Sequence, residues 1–140
     1  MPVFEGVLPQ ILRNDIYGKK LDLSSFSNKP VIVTFFASWS KACQDQLLYL
    51  SSYANSQDLK IVGVSFDNKI KDLKKYLESE KVSFDIVLDK KLKMLEKYAI
   101  LVIPTTFAIG KDGKIKEVFV DYDENIKNSI DKFVKEETAN

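Results

Sequence analysis

The sequence predicts one α/β domain built on a mixed sheet, and three observations carry that reading. Two continuous β-branched and aromatic runs, Val31–Phe36 and residues 59–66, have the composition of strands buried on both faces. An amphipathic helical stretch follows each run, so strands and helices alternate as they do around a parallel core. Farther on, residues 104–109 and 115–120 flank Lys111-Asp112-Gly113-Lys114, a hairpin turn that adds an antiparallel edge before a closing helix.

The elements follow in order. Asn14-Asp15-Ile16-Tyr17-Gly18 is a turn signal between short apolar segments and predicts a small hairpin over residues 7–23. Asn28-Lys29-Pro30 stops whatever precedes the first strand, because a residue before proline is pushed out of helical conformations. Residues 40–56 then carry Leu47, Leu48, Leu50 and Tyr53 at helical spacing. Residues 70–80 form the next helix, with Ile70, Leu73, Tyr76 and Leu77 in one stripe between lysines and acids. Residues 84–88 read as a short strand and 91–98 as a short helix. In the closing helix, 125–137, Ile126, Ile130, Phe133 and Val134 share a face. No repeat, low-complexity tract or linker interrupts this order, so residues 1–140 read as a single domain.

Composition narrows the chemistry. With 140 residues, the chain can bury roughly 68–70% of its unfolded surface and needs no covalent staples. A balance of 21 basic and 20 acidic residues gives no electrostatic case for nucleic acid or an anionic membrane. The lysine-rich stretches 69–75 and 90–97 are interleaved with acids and apolar residues, as solvated helix faces are. There is no histidine, which excludes Ser-His and Cys-His catalysis and imidazole metal ligation. Cys43 is the sole cysteine, which excludes an intrachain disulfide and any multi-cysteine zinc or iron–sulfur site. Glycine-rich phosphate loops and calcium-loop spacings are missing too, so no cofactor and no metal are expected. Met1-Pro2-Val3-Phe4-Glu5-Gly6 lacks the basic and apolar regions of a secretory signal, and the longest apolar run, 31–37, is too short to cross a bilayer.

The chemistry concentrates in Phe35-Phe36-Ala37-Ser38-Trp39-Ser40-Lys41-Ala42-Cys43, where the first buried strand hands over to a helix. A helix N-terminus offers free N–H groups and the positive end of the dipole, which biases a thiol there toward the thiolate that attacks disulfides. Ser40 and Cys43, three residues apart, share a face of the first turn. This run resembles the active-site segment of thioredoxin-fold proteins, in which a Trp precedes Cys-x-x-Cys. It is most similar to the thiol–disulfide oxidoreductases of the TlpA/ResA type in the AhpC/TSA-redoxin superfamily. Ile103-Pro104-Thr105-Thr106-Phe107-Ala108-Ile109 and Lys111-Asp112-Gly113-Lys114-Ile115 resemble that family's cis-proline segment and the hairpin after it. Val62-Gly63-Val64-Ser65-Phe66-Asp67 resembles its next strand, and Gly18-Lys19-Lys20-Leu21-Asp22-Leu23 with Lys29-Pro30-Val31 its opening segment.

The resemblance implies a thioredoxin-like fold, with a central mixed sheet flanked by helices and an N-terminal hairpin extension. It implies disulfide exchange with a cysteine-containing protein, as substrate or reductant. Ser40 then occupies the position of the attacking cysteine, and Cys43 that of the resolving cysteine. Trp39, Lys41, Ala42, Ile103 and Pro104 become the substrate-binding rim, with a cis Ile103–Pro104 bond that leaves the preceding backbone open to an extended peptide. Family members are usually exported or tethered outside the cytoplasmic membrane. That implies an extracytoplasmic location reached through a leader or anchor, although this sequence shows no signal segment.

Two departures qualify the match. Ser40 stands where the family has its nucleophile; a serine hydroxyl has no accessible anion near neutral pH, and no histidine is present to activate it. A dithiol cycle needs both sulfurs, so the chain is expected to be impaired. Ser40 itself reads as an N-cap worth on the order of 1 kcal/mol over alanine, as a replacement made to silence a redox site, or as a natural loss of the cysteine. Thr34 stands six residues before it, where thioredoxins carry a buried carboxylate; a threonine can hydrogen-bond but cannot act as a base. Lys41 reads either as an aid to a nearby thiolate or as a solvated lysine. Two other functions fit part of the pattern. A non-catalytic thioredoxin-like module would hold its partner around Trp39 and Pro104 without electron transfer. A one-cysteine peroxidase is suggested by Ser40-x-x-Cys43, since peroxiredoxins place Thr or Ser three residues before their cysteine. Against it stand Phe36, where they have proline, and Arg13 as the single arginine.

Overall fold

The computed structural model describes residues 14–21, 26, 28–89 and 92–139. Its elements are β1 (Val31–Phe36), α1 (Lys41–Ser51), β2 (Lys60–Ser65), α2 (Ile70–Ser79), β3 (Asp85–Leu88), α3 (Lys93–Lys97), β4 (Thr105–Ile109), β5 (Ile115–Val120) and α4 (Glu124–Thr138). The strands form one sheet in the order β3-β2-β1-β4-β5. β1, β2 and β3 run parallel, while β4 is antiparallel to both β1 and β5. This is the mixed sheet expected, with its parallel core formed before the closing hairpin.

Every residue of β1 is buried, and its alternating side chains divide the interior in two. Val31, Val33 and Phe35 pack with Val62, Val64, Val87 and Phe107 on the face that carries Met94 and Tyr98 around α3. Ile32 faces the other way, against Leu50 of α1 and Ile130 and Phe133 of α4. Phe36, on that same side, joins Leu47 of α1 and Leu73 and Leu77 of α2. α4 is also tied to α1 by polar contacts: the Tyr49 and Tyr53 hydroxyls both donate to the Asp131 carboxylate, and Lys127 pairs with it at 3.4 Å. Burial works to raise the Asp131 carboxyl, but these donors hold it below the usual carboxylate range.

From residue 31 onward the predicted strands and helices all exist, with adjusted ends. α1 stops at Ser51 rather than running to 56. The Ser51 and Ser52 hydroxyls donate to the Leu47 and Tyr49 carbonyls, and the Tyr53 and Ala54 N–H groups reach back only three residues, which winds the chain into turns. Of the residues at helical spacing, Leu48 is 69% exposed, because the buried stripe of α1 follows Cys43, Gln46, Leu47 and Leu50. Of the N-terminal hairpin, the described part is a turn around Gly18 with a single antiparallel bridge, Asn14 to Lys20. Its turn docks on the sheet through the Ile16 N–H, which donates to the Ile86 carbonyl at 3.0 Å. The remainder of residues 7–23 lies outside the described residues.

Gly63, in the middle of β2, sits between Thr34 of β1 and Ile86 of β3. A Cβ there would meet Ile86 Cδ1 at 2.7 Å and Phe36 Cε1 at 2.9 Å. Both neighbours are packed in the layer under α2, so neither can withdraw freely. Gly63→Ala is expected to lower stability by about 1–3 kcal/mol through overpacking, measured as a reduced urea midpoint at unchanged slope.

Candidate active site at the end of the central strand

The sheet order reverses at β1, with β2 and β3 to one side and β4 and β5 to the other. Loops leaving the C-terminal end of such a strand diverge, and the crevice between them is where α/β sheets place their sites. Residues 37–40 form that loop, and α1 begins immediately after it.

Ser40 is the N-cap of α1, with an extended backbone at φ −90° and ψ 125°. Its hydroxyl accepts from the Cys43 N–H at 3.4 Å, a long contact, and its carbonyl accepts from the Gln44 N–H at 2.9 Å. Cys43 is fully buried, packed in the cluster of Phe36, Leu47, Leu73 and Leu77. Burial pushes its thiol up; hydrogen bonding to the Ser40 side chain and the Ala37 backbone draws it partly back, and the Asp67 and Asp121 carboxylates push it up further. The thiolate bias expected from the helix N-terminus is therefore overturned by desolvation.

The remaining residues of interest gather around this pair. Trp39 projects from the loop and is 72% exposed, while Ala42 is half-buried. Ile103 packs against the cluster that contains Cys43, Pro104 is buried, and the bond between them is cis. Because Phe35 of β1 pairs with Thr105 of β4, the Ile103-Pro104 segment arrives at the same end of the sheet as the loop. Lys41 extends into solvent and pairs with Asp45 at 2.7 Å, which is the solvated-lysine reading; it does not figure among the groups that shift the thiol.

Two polar constructions at this end went unread in the sequence. Asp67, 8% exposed, accepts from the Ser38 N–H at 2.9 Å, the Ser38 hydroxyl at 2.5 Å and the Ser65 hydroxyl at 2.7 Å. It thereby fastens the loop after β1 to the end of β2, and Gln44 Nε2 adds a bond to the Ser38 carbonyl at 2.8 Å. Ser65-Phe66-Asp67 at the end of a buried strand was the available signal, a serine and an acid spaced to bond locally. Behind Cys43, Gln46 is fully buried and its Nε2 donates to Thr34 Oγ1 at 2.6 Å and Thr106 Oγ1 at 2.9 Å. Thr34, read as a hydrogen-bonding group in place of a base, is thus part of a neutral network that joins α1 to the middle of the sheet. A glutamine inside an otherwise apolar helix face was its sequence signal.

Residues 5–118 match the AhpC/TSA family, and the chain belongs to it. The thiol-disulfide oxidoreductase ResA of Bacillus thuringiensis subsp. konkukian is 25% identical over 133 residues, covering 93% of this chain and 76% of that protein. A thiol:disulfide interchange protein of Chlorobium tepidum superposes with a TM-score of 0.76 over 90% of this chain and 91% of its own, at 21% identity. The exposed lipoprotein thioredoxin of Streptococcus pneumoniae does so with a TM-score of 0.72 over 88% and 96%, at 25% identity. Fold and relatives together make this a thioredoxin-like domain of the thiol–disulfide oxidoreductase class. Among the described residues no helix is long and apolar enough to cross a membrane, and no cluster of metal-ligating side chains is present.

The state of Cys43 can be measured directly. Since its folded-state pKa is raised, the fold favours the neutral thiol; the associated stability is complete below the unfolded thiol pKa and is lost as pH rises above it. Alkylation by iodoacetamide at pH 8, followed by mass spectrometry, is expected to be at least about tenfold slower in the folded chain than in urea.

Proposed function

We propose that residues 1–140 act as one thioredoxin-like domain that exchanges disulfides with a cysteine-containing protein, with positions 40 and 43 as the reacting pair. The single observation that carries this reading is the seating of Ser40 as N-cap and Cys43 one turn later at the end of β1, beside exposed Trp39 and the Ile103-Pro104 segment. With cysteine at position 40, its thiolate would attack a partner disulfide, form a mixed disulfide and release one partner thiolate. Cys43 would then attack the sulfur at position 40 and release the second, leaving the partner reduced by two electrons and the domain oxidised. Burial of Cys43 suits this order, because a shielded sulfur reacts within the mixed disulfide rather than with solvent thiols.

With Ser40 in place the first bond cannot form, so the domain is impaired and binds its partner through Trp39, Lys41, Ala42, Ile103 and Pro104 without completing transfer. The one-cysteine peroxidase reading loses ground to the same facts, since a fully buried thiol with a raised pKa is a poor peroxide nucleophile. The relative described as an exposed lipoprotein supports an extracytoplasmic setting for the domain.

The test compares the chain with its Ser40→Cys variant in the reduction of insulin disulfides. The variant is expected to exceed the parent at least about tenfold and to form a disulfide between positions 40 and 43. A variant that stays inert, with both thiols free after oxidation, would overturn the reading.

A further inference from the structure

The resolving step of the exchange requires a proton acceptor. Cys43 must lose its proton to attack the sulfur at position 40, because the thiolate is the nucleophile. The chain has no histidine, and the Thr34–Gln46–Thr106 network behind the thiol is neutral. On α1, Lys41 is a cation already paired with Asp45 in solvent. From α2, half-buried Tyr76 packs against the cluster that contains Cys43, but burial and neighbouring charges push its phenol up to about 12, so it keeps its own proton near neutral pH. Two carboxylates remain, Asp67 beyond β2 and Asp121 beyond β5, and the charge of each is felt at the thiol.

These two acids are placed differently. Asp67 is 8% exposed, and its oxygens already hold the Ser38 N–H, the Ser38 hydroxyl and the Ser65 hydroxyl, so a proton taken there would loosen the loop. Asp121 is exposed; one of its oxygens accepts from the Tyr122 N–H at 2.8 Å, and the other has no partner among the described residues. The Asp121 N–H donates to the Pro104 carbonyl at 2.8 Å, which holds the residue against the cis segment, and Ile103 of that segment packs on the Cys43 cluster. Its backbone is left-handed, φ 70°, a conformation that aspartate tolerates because its short carboxylate can bond locally. Strand pairing fixes the rest: Thr105 lies opposite Phe35 on one side and Val120 on the other, so the residue after Val120 arrives at the end of the sheet where Cys43 lies.

We propose that Asp121 is the proton acceptor for Cys43, directly or through one water molecule. In the mixed disulfide, the Cys43 S–H proton passes to the Asp121 carboxylate while the Cys43 sulfur bonds to the sulfur at position 40. The bond from that sulfur to the partner breaks, and its electron pair leaves with the partner's sulfur. The Asp121 carboxyl then gives its proton to the departing thiolate, so the partner ends reduced by two electrons and the carboxylate is restored. The assignment rests on the exchange reading, with cysteine at position 40. Acting through its field alone, Asp121 would have the opposite effect, since a negative charge beside a thiol disfavours the thiolate.

The experiment mixes the Ser40→Cys variant with the nitrobenzoate disulfide DTNB, whose coloured aromatic thiolate departs without taking a proton. A first equivalent of colour marks attack by position 40, and a second marks resolution by Cys43. The second phase is expected to be nearly flat between about pH 6 and pH 8. Adding Asp121→Asn, which keeps an oxygen for the Tyr122 N–H, is expected to slow it at least about tenfold at pH 7 and to make it climb with pH, because only the thiol's own ionisation is left. Asp121→Gly, which suits the left-handed backbone, is expected to do the same. If either variant keeps the parental second phase or exceeds it, the assignment falls and exchange stands. A second phase that is slowed but still flat with pH also overturns the assignment, because a merely structural loss would give that result. If Ser40→Cys releases no first equivalent, the exchange reading itself falls and the assignment falls with it.

Discussion

Because all six residues of β1 are buried, its peptide groups have only neighbouring strands to bond to, and they bond on both sides, to β2 in parallel and to β4 in antiparallel register. The rest of the molecule is arranged around that requirement. Side chains alternating along β1 nucleate two separate apolar layers, one under α3 and one under α1, α2 and α4. The reversal of strand order at β1 opens the crevice at its C-terminal end. The loop that enters this crevice is held by Asp67, a residue of the adjacent strand's exit, so the geometry around Ser40 follows from strand pairing more than from the loop's own sequence.

The site shows two electrostatic effects opposed on one atom. A helix N-terminus favours an anion by roughly 0.3–1 kcal/mol, rising to about 2 in favourable partly buried geometry. Complete burial disfavours the charged form, and it is the largest influence on the Cys43 thiol. Cys43 stands fully buried against Leu47, Leu73 and Leu77, with the Asp67 and Asp121 fields adding to the penalty, so burial wins and the thiol stays protonated. Position 40, half-exposed at the cap itself, is where the helix end would act on a sulfur with less opposition. The two positions thus differ: one is half-exposed at the cap, the other fully buried a turn later. The Thr34–Gln46–Thr106 network beneath Cys43 carries no charge, so it anchors α1 to the sheet without adding to that field.

Much of this was legible in the residues. Val31–Phe36 announced a doubly buried strand, the Lys111-Asp112-Gly113-Lys114 turn announced the hairpin, and the active-site run with Ile103-Pro104 pointed to the family and to the residues that meet at the end of β1. These features are local: a continuous apolar run, a turn tetrad, a spacing of three. The end of α1 lies earlier than the spacing predicts because Ser51 and Ser52 compete for backbone carbonyls, and Leu48 is exposed because spacing alone does not say which stripe of a helix meets the sheet.

What lay beyond the sequence were properties created by elements distant along the chain. Burial of Cys43 depends on α2 and β3 covering it, and the anchoring of Ser38 depends on where β2 ends. Residue identity and spacing settle which elements form and which chemistry a segment can support, because those depend on local sterics and periodicity. Desolvation, and the partners a polar group finds, depend on everything that packs around it, and so they were decided only when the sheet closed its layers over β1.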